Sequence, residues 1–417
     1  MNGTIDDAQP FPAMTRSLLG LFVLLLSGIL FAETPALTRI NEVLASGEKP
    51  VRVVCFGDSV TGVYYHTGGL RAYTDLLGDA LRQIHPKASV TLINAGMSGH
   101  TTTNGLGRLM QSVLVHKPHL VTVMFGLNDV AKLPIAAYRK NLIEIVSKCR
   151  ASGAEVVLCT PNTVLTTPDR PFEKVIAYCE VVRSVSRELN VPLCDTFVAL
   201  EAVKTRAPDA WRLAMSDEIH PNLSGHRRIA EQLALTITGD ATTLEDTGPS
   251  LPLLDHTFKR LKAGEAVKVL AMPPFDTLIG DALREVVPGA NIATIPWPTE
   301  GLSRYQLMKD ASHRVRPLVP DLVVVAVPRT AGAKDREEFI RTQMWITANS
   351  LSRGKREWDV LVVHPSVVEP VTEAPEEDGM IRLITAAQDL PLLDRVTGDS
   401  RDAKAILVEW LTGAKGP

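Results

Sequence analysis

The chain is 417 residues long, 45% hydrophobic and 22% charged, with 28 glycines and 28 prolines. That composition argues against a collagen-like, low-complexity or disordered chain and leaves room for two to three folded domains. Lys and Arg total 44 against 47 acidic residues, a net charge of −3, so there is no positive surplus to hold a phosphate backbone and no nucleic-acid partner is expected.

Along the chain, the first feature is an apolar run from Ser17 to Ala32 between Arg16 and Glu33. It is short for a membrane span and long enough for the core of a signal peptide. Residues 1–36 are read as a signal peptide or a membrane anchor, with residues 17–32 as the apolar element. Either reading makes this an exported protein, periplasmic or secreted.

From Val51 onward β-like runs alternate with helical stretches. Strands are expected at 51–56, 89–95, 120–125, 154–160 and 191–195, and helices near 71–84, 106–115, 135–151, 172–189 and 223–238, the last capped by Asn222. Continuous apolar strands separated by helices of ten or more residues mean a parallel sheet covered on both faces. The five cysteines (Cys55, Cys149, Cys159, Cys179, Cys194) are odd in number and form no CxxC pair. Neither a zinc site nor a dense disulfide framework is indicated, and the thiols are read as buried small hydrophobes.

Residues 241–256 are polar and acidic, with Gly248, Pro249 and Pro252, and read as a linker. The pattern then restarts. Leu77–Ile93 aligns with Ile279–Ile295 at an offset of 202, with eight of seventeen positions identical. The same offset carries 117–126 onto 319–328, and nearby offsets carry the fourth and fifth strands onto 358–366 and 390–394. The sequence is therefore read as two copies of one α/β domain, at 37–240 and 257–417.

The chemistry-bearing residues of the first copy fall at strand exits, the edge where parallel α/β sheets place their sites. The first strand ends in Gly57-Asp58-Ser59, where Asp58 or Ser59 is either a helix cap or, for Ser59, a nucleophile. After the second strand, Gly96-Met97-Ser98-Gly99-His100 is either a tight turn or a source of bare backbone N–H groups. The third ends in Gly126-Leu127-Asn128-Asp129, where Asn128 either caps a helix, a role Asp129 also suits, or donates its amide to an oxyanion. Before the final helix, Asp217 stands three residues ahead of His220, a spacing that lets a carboxylate accept the imidazole Nδ1–H and leave Nε2 toward a nucleophile.

Taken together, over about residues 50–238, these four blocks resemble those of the SGNH (GDSL-type) hydrolase family in the family's order, with Val60 where that motif has Leu. The resemblance implies a flavodoxin-like three-layer α/β/α sandwich. It implies Ser59 as nucleophile, His220 as general base and acid, and Asp217 as its orienter. It also implies an oxyanion hole from the Ser59 and Gly96 N–H groups and the Asn128 side chain, with no metal and no organic cofactor. His66 and His100, with Tyr64 and Tyr65, either line a substrate pocket or pack structurally. His85, His116, His119 and His226 have no partner at metal-ligand spacing and are read as structural.

In the second copy Val267–Met272 resembles Val51–Phe56 and exits into Pro273-Pro274-Phe275, which puts Phe275 at the nucleophile position; offset 202 puts Pro298 at the position of Gly96 and Thr330 at that of Asn128, and no Asp-X-X-His follows Asp394. Proline has no N–H to donate, so this copy is expected to be inactive, serving as scaffold or binding domain. Trp297, Tyr305 and Trp345 either contact carbohydrate or pack in its core. The expected function is a serine esterase acting on short acyl groups, such as acetyl, on small-molecule or carbohydrate esters. A lipid-directed acyl hydrolase or a non-catalytic binder is the alternative.

Overall fold

A strand without a polar face has to be covered on both sides, and the first half is built on that rule. The computed structural model describes residues 37–416 apart from 63–64, 70, 353–356, 372 and 374; the proposed leader or anchor at 1–36 and Tyr64 lie outside the described residues. In chain order come α1 (Thr38–Ser46), β1 (Val51–Gly57), α2 (Ser59–Gly62), α3 (Tyr73–Ile84), β2 (Val90–Gly96), α4 (Thr102–Ser112), β3 (Leu120–Met124), α5 (Leu127–Lys132), α6 (Ile135–Ala151), β4 (Glu155–Cys159), α7 (Phe172–Leu189), β5 (Leu193–Cys194), α8 (Thr196–Arg206), α9 (Pro208–Arg212) and α10 (Leu223–Thr238). The five strands are parallel in the order β2-β1-β3-β4-β5. β1 and β3 are almost wholly buried, and their apolar side chains form one core with the helices on both faces.

Asn222 caps α10, accepting the Ser224 and Gly225 N–H groups, as expected. α4 begins earlier than periodicity suggested because Thr101 and Asn104 form a reciprocal cap at its start. α1, α8 and α9 were not anticipated. All five cysteines are buried free thiols. Among the described residues no helix is long and apolar enough to cross a membrane.

The second half contains α11 (Asp255–Lys262), β6 (Val267–Ala271), α12 (Phe275–Val286), β7 (Ile292–Pro296), α13 (Arg304–Leu318), β8 (Leu322–Val325), α14 (Arg336–Ser350), β9 (Asp359–Val363), α15 (Glu376–Ala387), β10 (Leu392–Leu393) and α16 (Ala403–Lys415). Its sheet, β10-β9-β8-β6-β7, is parallel and repeats the strand order of the first. Val51 pairs with Val90 in the first sheet as Val267 pairs with Ile292 in the second. Leu120 pairs with Glu155 as Leu322 pairs with Asp359.

This register corrects one assignment. Phe275 opens α12 as Tyr73 opens α3, and both are fully buried. Phe275 therefore occupies the place of Tyr73, not that of Ser59. Counted from the equivalent strand starts, Val51 to Tyr73 and Val267 to Phe275, the path to the next long helix is fourteen residues shorter in the second half, and nothing there corresponds to α2 and Ser59.

The segment 241–256 is packed rather than a free linker. Leu244 is fully buried in the first core and its N–H donates to Glu231. Leu254 belongs to the second core, and α11 starts at Asp255. From Leu37 onward both halves belong to one packed unit.

Candidate active site

The turn after β1 is held by Asp58, whose carboxylate accepts the Val60 N–H (3.0 Å) and whose carbonyl accepts the Gly62 N–H (3.0 Å). Burial pushes the Asp58 carboxyl up to about 7. Asp58, not Ser59, thus acts as the cap, and the Ser59 side chain turns elsewhere. Its Oγ lies 2.9 Å from His220 Nε2.

On the loop between α9 and α10, His220 Nδ1 lies 2.8 Å from Asp217 Oδ2. Asp217 Oδ1 accepts the backbone N–H groups of Ile219 (2.8 Å) and His220 (2.7 Å), so the loop wraps around the carboxylate. Burial alone would raise the Asp217 pKa, but the bond to His220 and the charge of that ring outweigh it and hold Asp217 below the usual carboxylate range. A carboxylate at Nδ1 fixes the proton there and leaves Nε2 as the acceptor facing the Ser59 hydroxyl. Serine, imidazole and carboxylate in this line can deprotonate the hydroxyl as it attacks a carbonyl.

The oxyanion side needs a correction. The Gly96 N–H donates to Asn94 Oδ1 at 2.9 Å and is not free for a substrate. Position 96 is glycine for a different reason: a Cβ there would stand 2.3 Å from the Gly62 nitrogen, so the turn after the nucleophile packs directly on this backbone. Three residues on, Gly99 turns the chain at φ +75, and its N–H has no partner among the described residues. Asn128 is nearly buried; its Nδ2 donates to the His100 carbonyl at 3.1 Å, and its Oδ1 accepts from Arg170 at 3.3 Å. It caps nothing. Asp129 does not cap α5 either, but accepts the Thr102 N–H at 2.9 Å and ties α5 to the start of α4.

Both auxiliary histidines have protein partners. The His100 ring accepts from Arg108 Nε (3.2 Å). His66 is buried behind His220, rings stacked with centroids 4.1 Å apart and planes at 15°, its Nδ1 3.0 Å from Ser216 Oγ. Sequence reasoning put His66 near the nucleophile but gave no signal that it backs the histidine. His66, Asp217 and His220 also form a cluster of metal-ligand type, but two of its three members are committed to the hydrogen-bond line just described.

Burial, then the neighbouring His220, push His66 and His226 each down to about 3. Their folded pKa lies below the unfolded value of about 6.5, so the unfolded chain binds protons first as pH falls through that window, and stability is lost from about pH 6.5 toward 3. At pH 5 this amounts to about 2 kcal/mol for each ring. The melting temperature is expected to drop between pH 7 and pH 5. His226 accepts the Tyr73 N–H (3.0 Å), so His226→Gln should melt lower at pH 7 but with a visibly shallower acid slope. An equal slope would remove His226 from this account.

At the matching edge of the second sheet, His364, Ser366 and Asp394 also touch, but His364 is fully buried. Its Nδ1 accepts the Ser366 N–H (3.2 Å) and its Nε2 faces the Asp378 carbonyl (3.2 Å). Both nitrogens are engaged, and no base remains for a nucleophile.

Residues 55–228 match the GDSL-like lipase/acylhydrolase family. An arylesterase of Vibrio mimicus is 30% identical over 191 residues, spanning 46% of this chain and 90% of that protein. The chain belongs to the GDSL-like lipase/acylhydrolase family. An acetylxylan esterase of Geobacillus stearothermophilus is 28% identical over 212 residues, spanning 45% of this chain and 92% of that one. A solved lipase/acylhydrolase from Enterococcus faecalis, 28% identical, superimposes with a TM-score of 0.40 over 46% of this chain and 98% of its own. As a GDSL-type acylhydrolase the protein is a carboxylic ester hydrolase, and the family match at residues 55–228 falls on the half that carries Ser59, Asp217 and His220.

Proposed function

We propose that Ser59 is the nucleophile, His220 its general base and then acid, and Asp217 the group that orients His220. The observation that carries this reading is the continuous line from Ser59 Oγ through His220 (2.9 Å) to Asp217 (2.8 Å). The Ser59 Oγ–H proton passes to Nε2 as Oγ bonds to the ester carbonyl. The resulting imidazolium returns it to the departing alkoxide, leaving an acyl-enzyme that water hydrolyses by the same exchange. The oxyanion is received by the Ser59 N–H, the Asn128 amide and the Gly99 N–H. Gly99 replaces Gly96 in this role because the Gly96 N–H already serves Asn94.

The substrate class proposed is short acyl esters, acetyl on carbohydrate above all. The similarity to an acetylxylan esterase supports it, as does the low aromatic content of 5%. With residues 17–32 as leader or anchor, the enzyme would meet its substrate outside the cytoplasm. The second half is inferred to be a degenerate, inactive copy of the first, a reading supported by the shared strand order and by the absence of any counterpart to α2.

A serine-directed fluorophosphonate should label the full chain at Ser59, as read by mass spectrometry of the modified peptide. On nitrophenyl esters kcat/KM should be highest for acetate and fall as the acyl chain lengthens. Absence of labelling would remove Ser59 as the nucleophile, and a maximum at long chains would favour a lipid-directed hydrolase.

A further inference from the structure

The stretch after Ser59 that the second half lacks is one place where the two halves meet. Gly68, at φ +81, lies so close to the backbone of α15's end that a Cβ would stand 1.9 Å from the Gln388 carbonyl oxygen. Arg71 forks onto Asp389 at 2.8 and 2.9 Å, with both side chains buried. Between Ser59 and these contacts sits His66, whose ring meets Trp345 of α14 edge to face at 5.8 Å and 81°.

The same helix reaches the other catalytic segment. Glu337, in its first turn, takes a bidentate bond from Arg212 at the end of α9, and Arg212 Nη1 donates to the Met215 carbonyl (3.2 Å) just before Asp217. Leu213 packs on an apolar cluster that includes Phe339, Met344 and Met380. α14 therefore grips both the segment that follows the nucleophile and the loop that carries the acid–base pair.

We propose that α14 is a positioning element for the reaction: Trp345 holds His66 flat against His220 and so keeps the His220 imidazole in line between Asp217 and Ser59. The inference rests on the Ser59–His220–Asp217 reading above. Asp217 and Ser59 hold the imidazole at its two nitrogens, and two contacts on one line leave the ring plane free to tilt about that line. The His66 plane, 4.1 Å away, blocks that tilt on one side, and Trp345 backs His66 in turn. The buried His66 ring stays uncharged near neutral pH, so it does not repel the imidazolium that forms on His220 during turnover. Misplacement of a reacting group by about 1 Å can cost about a hundredfold in rate, which sets the scale of the effect.

The test uses the full chain, nitrophenyl acetate as a small substrate that cannot span the seam, and the variants Trp345→Ala, Trp345→Leu and Trp345→Phe beside Ser59→Ala. Trp345→Ala should lower kcat about ten- to a hundredfold with KM within twofold and should slow fluorophosphonate labelling in parallel. Trp345→Phe, which restores a ring edge, should recover most of the rate. Trp345→Leu fills the space without an aromatic edge and keeps the test available if the alanine variant is too unstable to assay. A kcat within twofold of the parent in Trp345→Leu, with Ser59→Ala inactive, would overturn the positioning role and leave the nucleophile assignment standing. Activity surviving Ser59→Ala would overturn the reading on which both depend.

Discussion

Ser59→Ala and His220→Ala are each expected to lower kcat by about five to six orders of magnitude, and the double variant should be no worse than either alone. The hydroxyl and the imidazole share one proton transfer, so removing either leaves the other without a task. Asp217→Asn should cost less, about four orders, because it disturbs tautomer and orientation but leaves both reacting groups in place. None of these changes should unfold the protein. The turn at Ser59 is held by Asp58, Val60 and Gly62 rather than by the hydroxyl, and His220 keeps partial exposure at 14%. Steady-state kinetics on nitrophenyl acetate, with melting curves to certify the fold, provide the measurement. A residual rate within a hundredfold of the parent in Ser59→Ala would transfer the nucleophile's role elsewhere. The residual acceleration expected after these losses comes from groups that still bind the oxyanion.

The arrangement was legible in the sequence wherever a local signal carried it. Strand positions followed from unbroken apolar runs such as Val51–Phe56 and Leu120–Phe125, because burial on both faces leaves no other pattern. The start of α10 followed from Asn222, and the meeting of Ser59 with His220 followed from strand exits sharing one edge of one sheet. Other features had no local signature. Gly96 reads the same whether it donates an N–H or merely yields room, and only its 2.3 Å approach to Gly62 decides between them. Phe275 was misplaced because a fixed strand offset hides a shortened loop, whereas the buried pair Tyr73 and Phe275 reveals it. Leu244 looked like linker because its flanks are polar, yet its side chain completes the first core. Trp297 is buried with its Nε1 donating to Asp310, Tyr305 is partly exposed on α13, and Trp345 lies at the seam. Three aromatics that look alike in sequence thus hold three different positions. Contacts across the seam, such as Arg71 with Asp389 over 318 residues, depend on how two finished sheets dock, and one-dimensional periodicity carries no trace of that.

Asn128→Ala is expected to lower kcat by about two to three orders of magnitude, equivalent to about 3–4 kcal/mol of barrier, with KM changed only a few fold. The orientation of the amide is set by its surroundings. Arg170 presents a cation to Oδ1 (3.3 Å) and donates from Nε to the Leu127 carbonyl (2.8 Å), so the oxygen end of the side chain stays on that side. The nitrogen end then faces the loop after β2, where one of its two hydrogens goes to the His100 carbonyl (3.1 Å) and the second remains for a developing oxyanion. The bond to the His100 carbonyl also ties Asn128 to the loop that carries the Gly99 N–H, which connects two of the three proposed donors through one side chain. A donor fixed before the reaction needs no reorganisation as charge appears on the carbonyl oxygen, so its loss falls on the transition state rather than on substrate binding. Asn128→Asp sharpens the test: the volume is kept, a carboxylate replaces the donor, and like charge now opposes the oxyanion, so kcat should fall at least as far as in the alanine variant. Arg170→Ala should fall by a smaller factor, about tenfold, because the amide is then free to rotate away part of the time. An unchanged kcat in Asn128→Ala would remove Asn128 from the oxyanion site and leave the two backbone N–H groups to stabilise the intermediate alone.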